Sequence, residues 1–356
     1  MDNGSYTTID DPSAYFQTAI YTGNGGTIDV VNDGNSDLQP DWLWFKCRSH
    51  NTDHGLQDSV RGNSLALQSN SSGADGDVGT SQITAIGSDG FSLASGGDVN
   101  TNSRTYVCWQ WKAGTSFTND ASSTSIGATD SAGSVNDTAG FSICTYTGVG
   151  GTSTTIKHGL STAPTLMLIK NRDQGDDWAV YHQGIGNTHR LYLNNTDAAT
   201  DAIGTFRDTS PTTAIFTVGD HASVNISGEK YVAYIFAEKQ GYSKFGSYTG
   251  NGNADGAFVF TGFKPAFVLI KITDNGSQDW FILDSKRSPS NLVDDSIAPN
   301  QADVEYTSEA NLDFLSNGFK LRMTSIRVNA SGNNYIYMAF AENPFTTSTG
   351  IPTPAR

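Results

Sequence analysis

Charge is scarce in this chain, and Glu is scarcer still. Of 356 residues only 16 % are Asp, Glu, Lys or Arg, against about 25 % in an average soluble domain. Only five of the 36 acidic residues are Glu: Glu229, Glu238, Glu305, Glu309 and Glu342. Good helix formers are therefore few, while Gly, Ser, Thr, Asn and Asp abound. That excludes a helical bundle, a coiled coil and a parallel α/β enzyme as first readings. Lys and Arg together number 21, leaving a net charge of −15. A nucleic-acid binder draws its affinity from cations that neutralise phosphates, so no nucleic-acid partner is expected. Cysteine is limited to Cys47, Cys108 and Cys144. An odd count with no Cys-x-x-Cys pair argues against a disulfide framework or a zinc site and for packed, reduced thiols. No apolar run approaches the ~18 residues of a membrane span, so no membrane insertion is expected. Met1–Asp11 has neither a basic region nor an apolar one, so no export signal is read there.

Catalytic motifs are missing too. There is no Gly-x-Ser-x-Gly elbow, His-Glu-x-x-His helix or phosphate loop. The histidines are His50, His54, His158, His182, His189 and His221. His50 and His54 are four apart, but they follow a strand in a loop, where surface or packing roles outweigh metal ligation. A glycosidase needs two suitably separated carboxylates, and the abundance of Asp makes any nominated pair uninformative. Asp29–Asp37 and Asp75–Asp77 offer the oxygens that calcium wants but lack EF-hand spacing. No catalytic residue, no metal ligand and no cofactor is therefore expected, a structural calcium being the one alternative. The protein is read as not an enzyme.

What the sequence does contain is repetition. Tyr-Thr-Gly occurs at Tyr21-Thr22-Gly23, Tyr146-Thr147-Gly148 and Tyr248-Thr249-Gly250. A Pro followed by an apolar run ending in Lys occurs at Pro40–Lys46, Pro164–Lys170 and Pro265–Lys271. A Tyr-led apolar run closes each unit, at Tyr106–Trp111, Tyr231–Phe236 and Tyr335–Phe340. The first landmark precedes the third by 85, 85 and 87 residues. Between them, His54, Trp178 and Trp280 stand in register, and so do Asp58, His182 and Asp284. Asp-Ser-x-Arg recurs at Asp58–Arg61 and Asp284–Arg287.

The short strands separated by Gly, Asn and Asp turns predict an all-β chain of three tandem antiparallel β-sandwich repeats. Each is about 100 residues, enough for its own core. The boundaries are an N-terminal arm 1–14, repeat one 15–114, a Ser/Thr/Gly-rich linker or flexible loop 115–139, repeat two 140–243, repeat three 244–345 and a C-terminal tail 346–356. The closing strands are apolar on both faces, which predicts central strands buried on both sides. The Lys ending each second landmark is expected at a sandwich rim. The Tyr-Thr-Gly-x-Gly loops are read as turns, since no helix follows to make a phosphate cradle. Asp58/Arg61 and Asp284/Arg287 are expected to brace a loop. Trp178 and Trp280 carry two readings: glycan-contact platforms that stack on a sugar ring, or core and inter-domain anchors. Trp109 and Trp111 are read as packing residues.

Several stretches resemble a family of virion structural proteins from marine tailed bacteriophages. They are Tyr6-Thr7-Thr8-Ile9-Asp10-Asp11-Pro12-Ser13 with Phe16-Gln17 and Tyr21-Thr22-Gly23; Asp58-Ser59-Val60-Arg61-Gly62; Lys170-Asn171-Arg172-Asp173; Gly241–Gly252; Tyr335–Glu342; and Ile351–Arg356. The resemblance covers nearly the whole chain. It implies a fibre, tail or capsid-decoration component with lectin-like (jelly-roll or concanavalin-like) sandwiches, made in the host cytoplasm and located in the virion. No catalytic residues come with it. The partners implied are other virion proteins (portal, tail or capsid), further copies in a homo-oligomer, a trimer by analogy, and host surface polysaccharide. A free carbohydrate-binding adhesion module and a glycan depolymerase are the alternatives. Tyr6, Ile9, Asp10, Asp11 and Pro12 lie outside the repeats and are expected to anchor the protein to the particle by strand addition or wrapping. On that reading, removing Met1–Ser13 spares the fold.

Overall fold

The computed structural model describes residues 7–352. The protein is nearly all β, built from antiparallel sheets. Within each repeat unit, called a segment below, four strands follow one order. In the first, Phe16–Thr22 pairs with Thr105–Trp111, which pairs with Trp42–Cys47, which pairs with Gly55–Asp58. In the second the corresponding strands are Phe141–Thr147, Lys230–Phe236, Leu166–Asn171 and Ala179–His182. In the third they are Ser243–Thr249, Asn334–Pro344, Phe263–Ile272 and Phe281–Asp284. Register repeats as well: Tyr21 faces Tyr106, Tyr146 faces Tyr231 and Tyr248 faces Tyr335.

The closing strand lies at the middle of each sheet, so both of its faces must be covered, and its sequence is apolar on both. In the first segment Cys108 packs outward with Val30, Phe91 and Leu93. Outer cores of the same kind form around Phe216 and Val218 in the second segment and Phe319 and Leu321 in the third. The outer layer is a separate small sheet in the first two segments. In the third the main sheet itself continues through Val293–Ile297, Tyr306–Leu315 and Gly318–Leu321 to Phe258–Phe260.

The inner faces decide the architecture. Val107, Trp109 and Trp111, Val232, Tyr234 and Phe236, and Ile336, Met338 and Phe340 belong to one common core. Three sandwiches in tandem, each with a core of its own, were expected; the separate cores are present, but the segments are not independent of one another. Each segment keeps an outer core, but the three main sheets also close on a shared centre, because a sheet with two apolar faces must bury both.

Two boundaries change with it. The stretch 115–139, expected to be a linker or flexible loop, forms the strands Thr115–Asn119 and Ser131–Asn136, which extend the second sheet beyond Phe141–Thr147. Its few apolar residues suffice because it lies at a sheet edge and is held by the main-chain ladder. The arm is not free either. Ile9 is 3 % exposed within the shared core, and Pro12 is buried. Asp11 accepts from Ser13 N and Ser36 Oγ, and Asp10 accepts from Ser348 N. A chain of ordinary polar appearance is thus pinned by one buried isoleucine and two carboxylates. The tail makes one isolated bridge, Thr346 to Pro352.

Candidate functional site

The recurring residues have local jobs first. The stacked tyrosine pairs Tyr21/Tyr106, Tyr146/Tyr231 and Tyr248/Tyr335 have ring centroids 5.2, 5.1 and 5.0 Å apart. The first hydroxyl of each pair donates to the carbonyl of Val99, Val224 or Val328. The second accepts from Thr101 N, Ile226 N or Ala330 N. The next residue after each valine, Asn100, Asn225 or Asn329, accepts from the loop amide of Asn24, Val149 or Asn251. The Tyr-Thr-Gly loops are therefore tyrosine-braced turns. Glycine is required at 148, where a Cβ would lie 2.2 Å from the carbonyl oxygen of Ile226. The three Val-Asn pairs were not singled out in the sequence. Their signal is there, since each valine precedes the closing Tyr by seven residues.

The remaining landmarks join the segments in three cyclic sets. In the first set, Trp178 Nε1 donates to Gln68 O and Trp280 Nε1 to Tyr192 O, both at 3.0 Å, while His54 Nε2 lies 3.1 Å from Ala298 O. Each segment thus reaches the same carbonyl of a neighbour, since Leu67, Leu191 and Ile297 hold one register position. In the second set, main-chain bonds run from Asp75 N to Arg172 O, Ala199 N to Thr273 O and Glu305 N to Arg48 O. The third set is chemically mixed. Tyr234 donates to Asp58 Oδ2 at 2.7 Å, and Trp109 Nε1 donates to Asp284 Oδ2 at 3.0 Å. In the remaining junction Met338 supplies no donor, and the facing residue is a histidine whose Nε2 meets Tyr337 O at 3.1 Å.

Two buried arginines reinforce this ring. Arg61 binds Asp58 at 2.5 Å and Asp75 at 2.6 Å, and Asp75 also binds Arg172 of the second segment at 2.7 Å. Arg287 binds Asp284 at 2.5 Å and Glu305 at 2.9 Å, and Glu305 reaches Arg48 of the first segment at 2.7 Å. The two Asp-Ser-x-Arg turns are loop braces as expected, and they are junctions as well.

Buried groups that look chemically active are occupied structurally. His158 and His182 have Nδ1 accepting from a main-chain amide and Nε2 beside a carbonyl. Burial holds both near pKa 4, and burial with nearby Lys46 holds His54 well below the usual histidine range. Lys46, Lys170 and Lys271 are wholly buried, not at a rim. Their ammonium groups hold carbonyls: Cys47 and Ala302, Asn171 and Gln174, and Thr196 and Gln278, respectively. Burial lowers each to a pKa of about 8.

Trp178 and Trp280, nominated for glycan contact, are 0 % and 2 % exposed. Their ring faces are covered by the shared core, so the stacking role is corrected in favour of inter-segment anchoring. Of the nominated anchor residues, Ile9, Asp10, Asp11 and Pro12 are docked on the body, as described above, and Tyr6 lies outside the described residues. Cys47, Cys108 and Cys144 are free and buried. Asp29 accepts from Ser92, Asp33 pairs with Lys286, and Asp75 has its two arginines. Among the described residues no group of three or more His, Cys, Asp or Glu side chains could hold a metal ion. No helix among them is long and apolar enough to cross a membrane. An open polar groove of about 480 Å³ lies beside Thr118, Asp130, Thr145, Arg172 and Lys230. Arg172 is already paired there, and no nucleophile–base pair faces it.

No curated protein and no solved structure matches the chain. The model of one family, described as a domain of unknown function (DUF7483), matches residues 11–344. That span takes in nearly all of the three segments and of their shared core, and the chain belongs to this DUF7483 family.

Proposed function

We propose that the protein is a non-enzymatic structural component of a virus particle, a fibre, appendage or decoration protein made in the host cytoplasm. The virion assignment rests on the resemblance to marine-phage structural proteins. The observation that carries the structural reading is the closed cycle of junctions. The residues that recur from segment to segment, aromatic, acidic, basic and imidazole alike, hold the segments to one another. Such a design favours a rigid body over a deep binding cleft. Its low charge and Ser/Thr/Asn-rich surface suit a protein present at high copy number. The adhesion-module alternative depended on Trp178 and Trp280 as stacking platforms, and their burial removes that support.

Portal, tail and capsid proteins are the partners this reading implies. The test is quantitative mass spectrometry of gradient-purified particles from a lysate whose phage encodes this chain, followed by antibody-gold localisation. Co-purification at a fixed copy number per particle is the expected result. Recovery only in the soluble fraction would overturn it.

A further inference from the structure

Each segment has an equivalent outer edge strand: Ile28–Val31, Thr154–Lys157 and Phe258–Phe260. Val30, Ile156 and Val259 are buried and stand opposite Phe91, Phe216 and Phe319. An open strand edge presents unpaired main-chain groups to any other chain and is usually blunted. In the second segment the protein covers the edge itself. Ala128 N and Thr129 N donate to Thr155 O at 2.8 and 3.1 Å, and Thr129 forms a parallel bridge with Ile156. In the first segment the flanking residues are Asp29 and the exposed Val31, so a charge interrupts that edge. In the third the flanking residues are Phe258 and Phe260, 46 % and 55 % exposed. Among the described residues no strand lies beyond them.

The direction of the free groups follows from the ladder. Leu321 N donates to Ala257 O, and Thr261 N donates to Asn317 O, so residues 257, 259 and 261 face the inner neighbour. With the period of two, Phe258 and Phe260 turn their N–H and C=O outward. We propose that this edge pairs with the same strand of a second copy, antiparallel about Val259, joining two third-segment sheets into one.

The strand is self-complementary in that register. Phe258 falls opposite the second copy's Phe260, and Phe260 opposite its Phe258, so every outward donor meets an acceptor. The two cross-strand pairs are aromatic, a favourable combination. The surroundings permit a like-with-like contact although the chain carries −15 overall. Near the edge, Lys244 pairs with Glu238, Lys264 with Glu342, Lys320 with Asp255, and Arg322 with Asp255 and Asp313. These four cations balance four carboxylates. In the second segment the equivalent edge already takes main-chain hydrogen bonds from another part of the chain, through one parallel bridge. The inference does not depend on the virion assignment.

Sedimentation velocity on the full chain tests it, over concentrations up to about 100 μM, the range of weak association. The expected result is a mass moving from 37.9 kDa toward twice that value. The F258K/F260K variant, changed only at exposed positions, should stay monomeric with an unchanged thermal midpoint. Hydrogen exchange at the Phe258 and Phe260 amides should slow with concentration in the parent protein alone. A parent protein that remains monomeric throughout, or a dimer that persists equally in the variant, would overturn the proposal.

Discussion

Removing one oxygen atom at the junction of the first and second segments should cost a measurable share of the protein's stability. Tyr234 is fully buried. Its hydroxyl donates to Asp58 Oδ2 at 2.7 Å and accepts from Arg61 Nη2 at 3.0 Å. Tyr234→Phe preserves the ring, which stacks on Trp42 at 4.2 Å. Asp58 also keeps the amides of Val60 and Arg61 and the Arg61 Nε. The substitution therefore isolates the hydroxyl. Bonds to charged groups contribute about 1.5–3 kcal/mol each, so a loss of about 2 kcal/mol is expected. Asp58→Asn leaves Arg61 with Asp75 and the Leu56 carbonyl but without its nearest counter-charge. Breaking a buried pair in this way costs about 3–5 kcal/mol. Because both changes strike one network, the double variant should fall short of additivity by about 1–2 kcal/mol. Urea titration followed by tryptophan fluorescence is a suitable assay. All six tryptophans are buried, and all six belong to the shared core. A Tyr234→Phe cost below about 0.5 kcal/mol, the scale of an ordinary surface change, or strict additivity, would show that packing alone holds this junction.

Stability should also depend on pH in two windows of like sign. His158 and His182 titrate near pH 4 when folded and near 6.5 otherwise. Between those values the unfolded chain binds protons that the folded chain refuses, so stability drops as the pH falls, by about 3 kcal/mol per histidine below pH 4. His182→Gln should flatten its share of the acid limb in pH-resolved denaturation, and an unchanged limb would refute the assignment. Lys46, Lys170 and Lys271 titrate near 8 when folded against 10.5 otherwise. The folded chain again binds fewer protons, and stability should rise from pH 7 to 9 by about 1.4 kcal/mol per lysine. Above that the buried thiols of Cys108 and Cys144, held up by burial, work in the opposite direction. Ile9→Ala should lower stability by about 2–5 kcal/mol, the range for emptying a buried aliphatic site. Thermal denaturation checks it, and a neutral result would restore the arm to a free anchor.

Much of this was legible in the sequence. The three landmarks locate the strands, and the two-faced apolar closing runs at Tyr106–Trp111, Tyr231–Phe236 and Tyr335–Phe340 mark the middle of each sheet. The paired Asp-Ser-x-Arg turns announced their own salt bridges, because partners three residues apart need only a turn to meet. Long-range roles were not legible. Trp178 is an equally good sugar platform or anchor until its neighbour at Gln68 is known, and that neighbour is 110 residues away. The stretch 115–139 looked like a linker because edge strands rely on main-chain bonds and need little apolar content. Ile9 was read as part of a particle-binding arm, because one buried side chain leaves no periodic trace of the core it joins.

The sequence by itself determined that the chain is antiparallel β, that it repeats its landmarks, and that each closing strand is buried on both faces. These are local properties, read from a period of two and from turn residues. Only the tertiary structure decided what covers the inner faces. Periodicity says that Val107, Val232 and Ile336 must leave water, and it is silent on whether they meet a partner within their own segment or one another. They meet in one core. The same closure brings Asp58 to Tyr234, 176 residues on, and Asp284 back to Trp109. Among the described residues it also leaves one of three equivalent outer edges, Phe258–Phe260, neither covered nor charged.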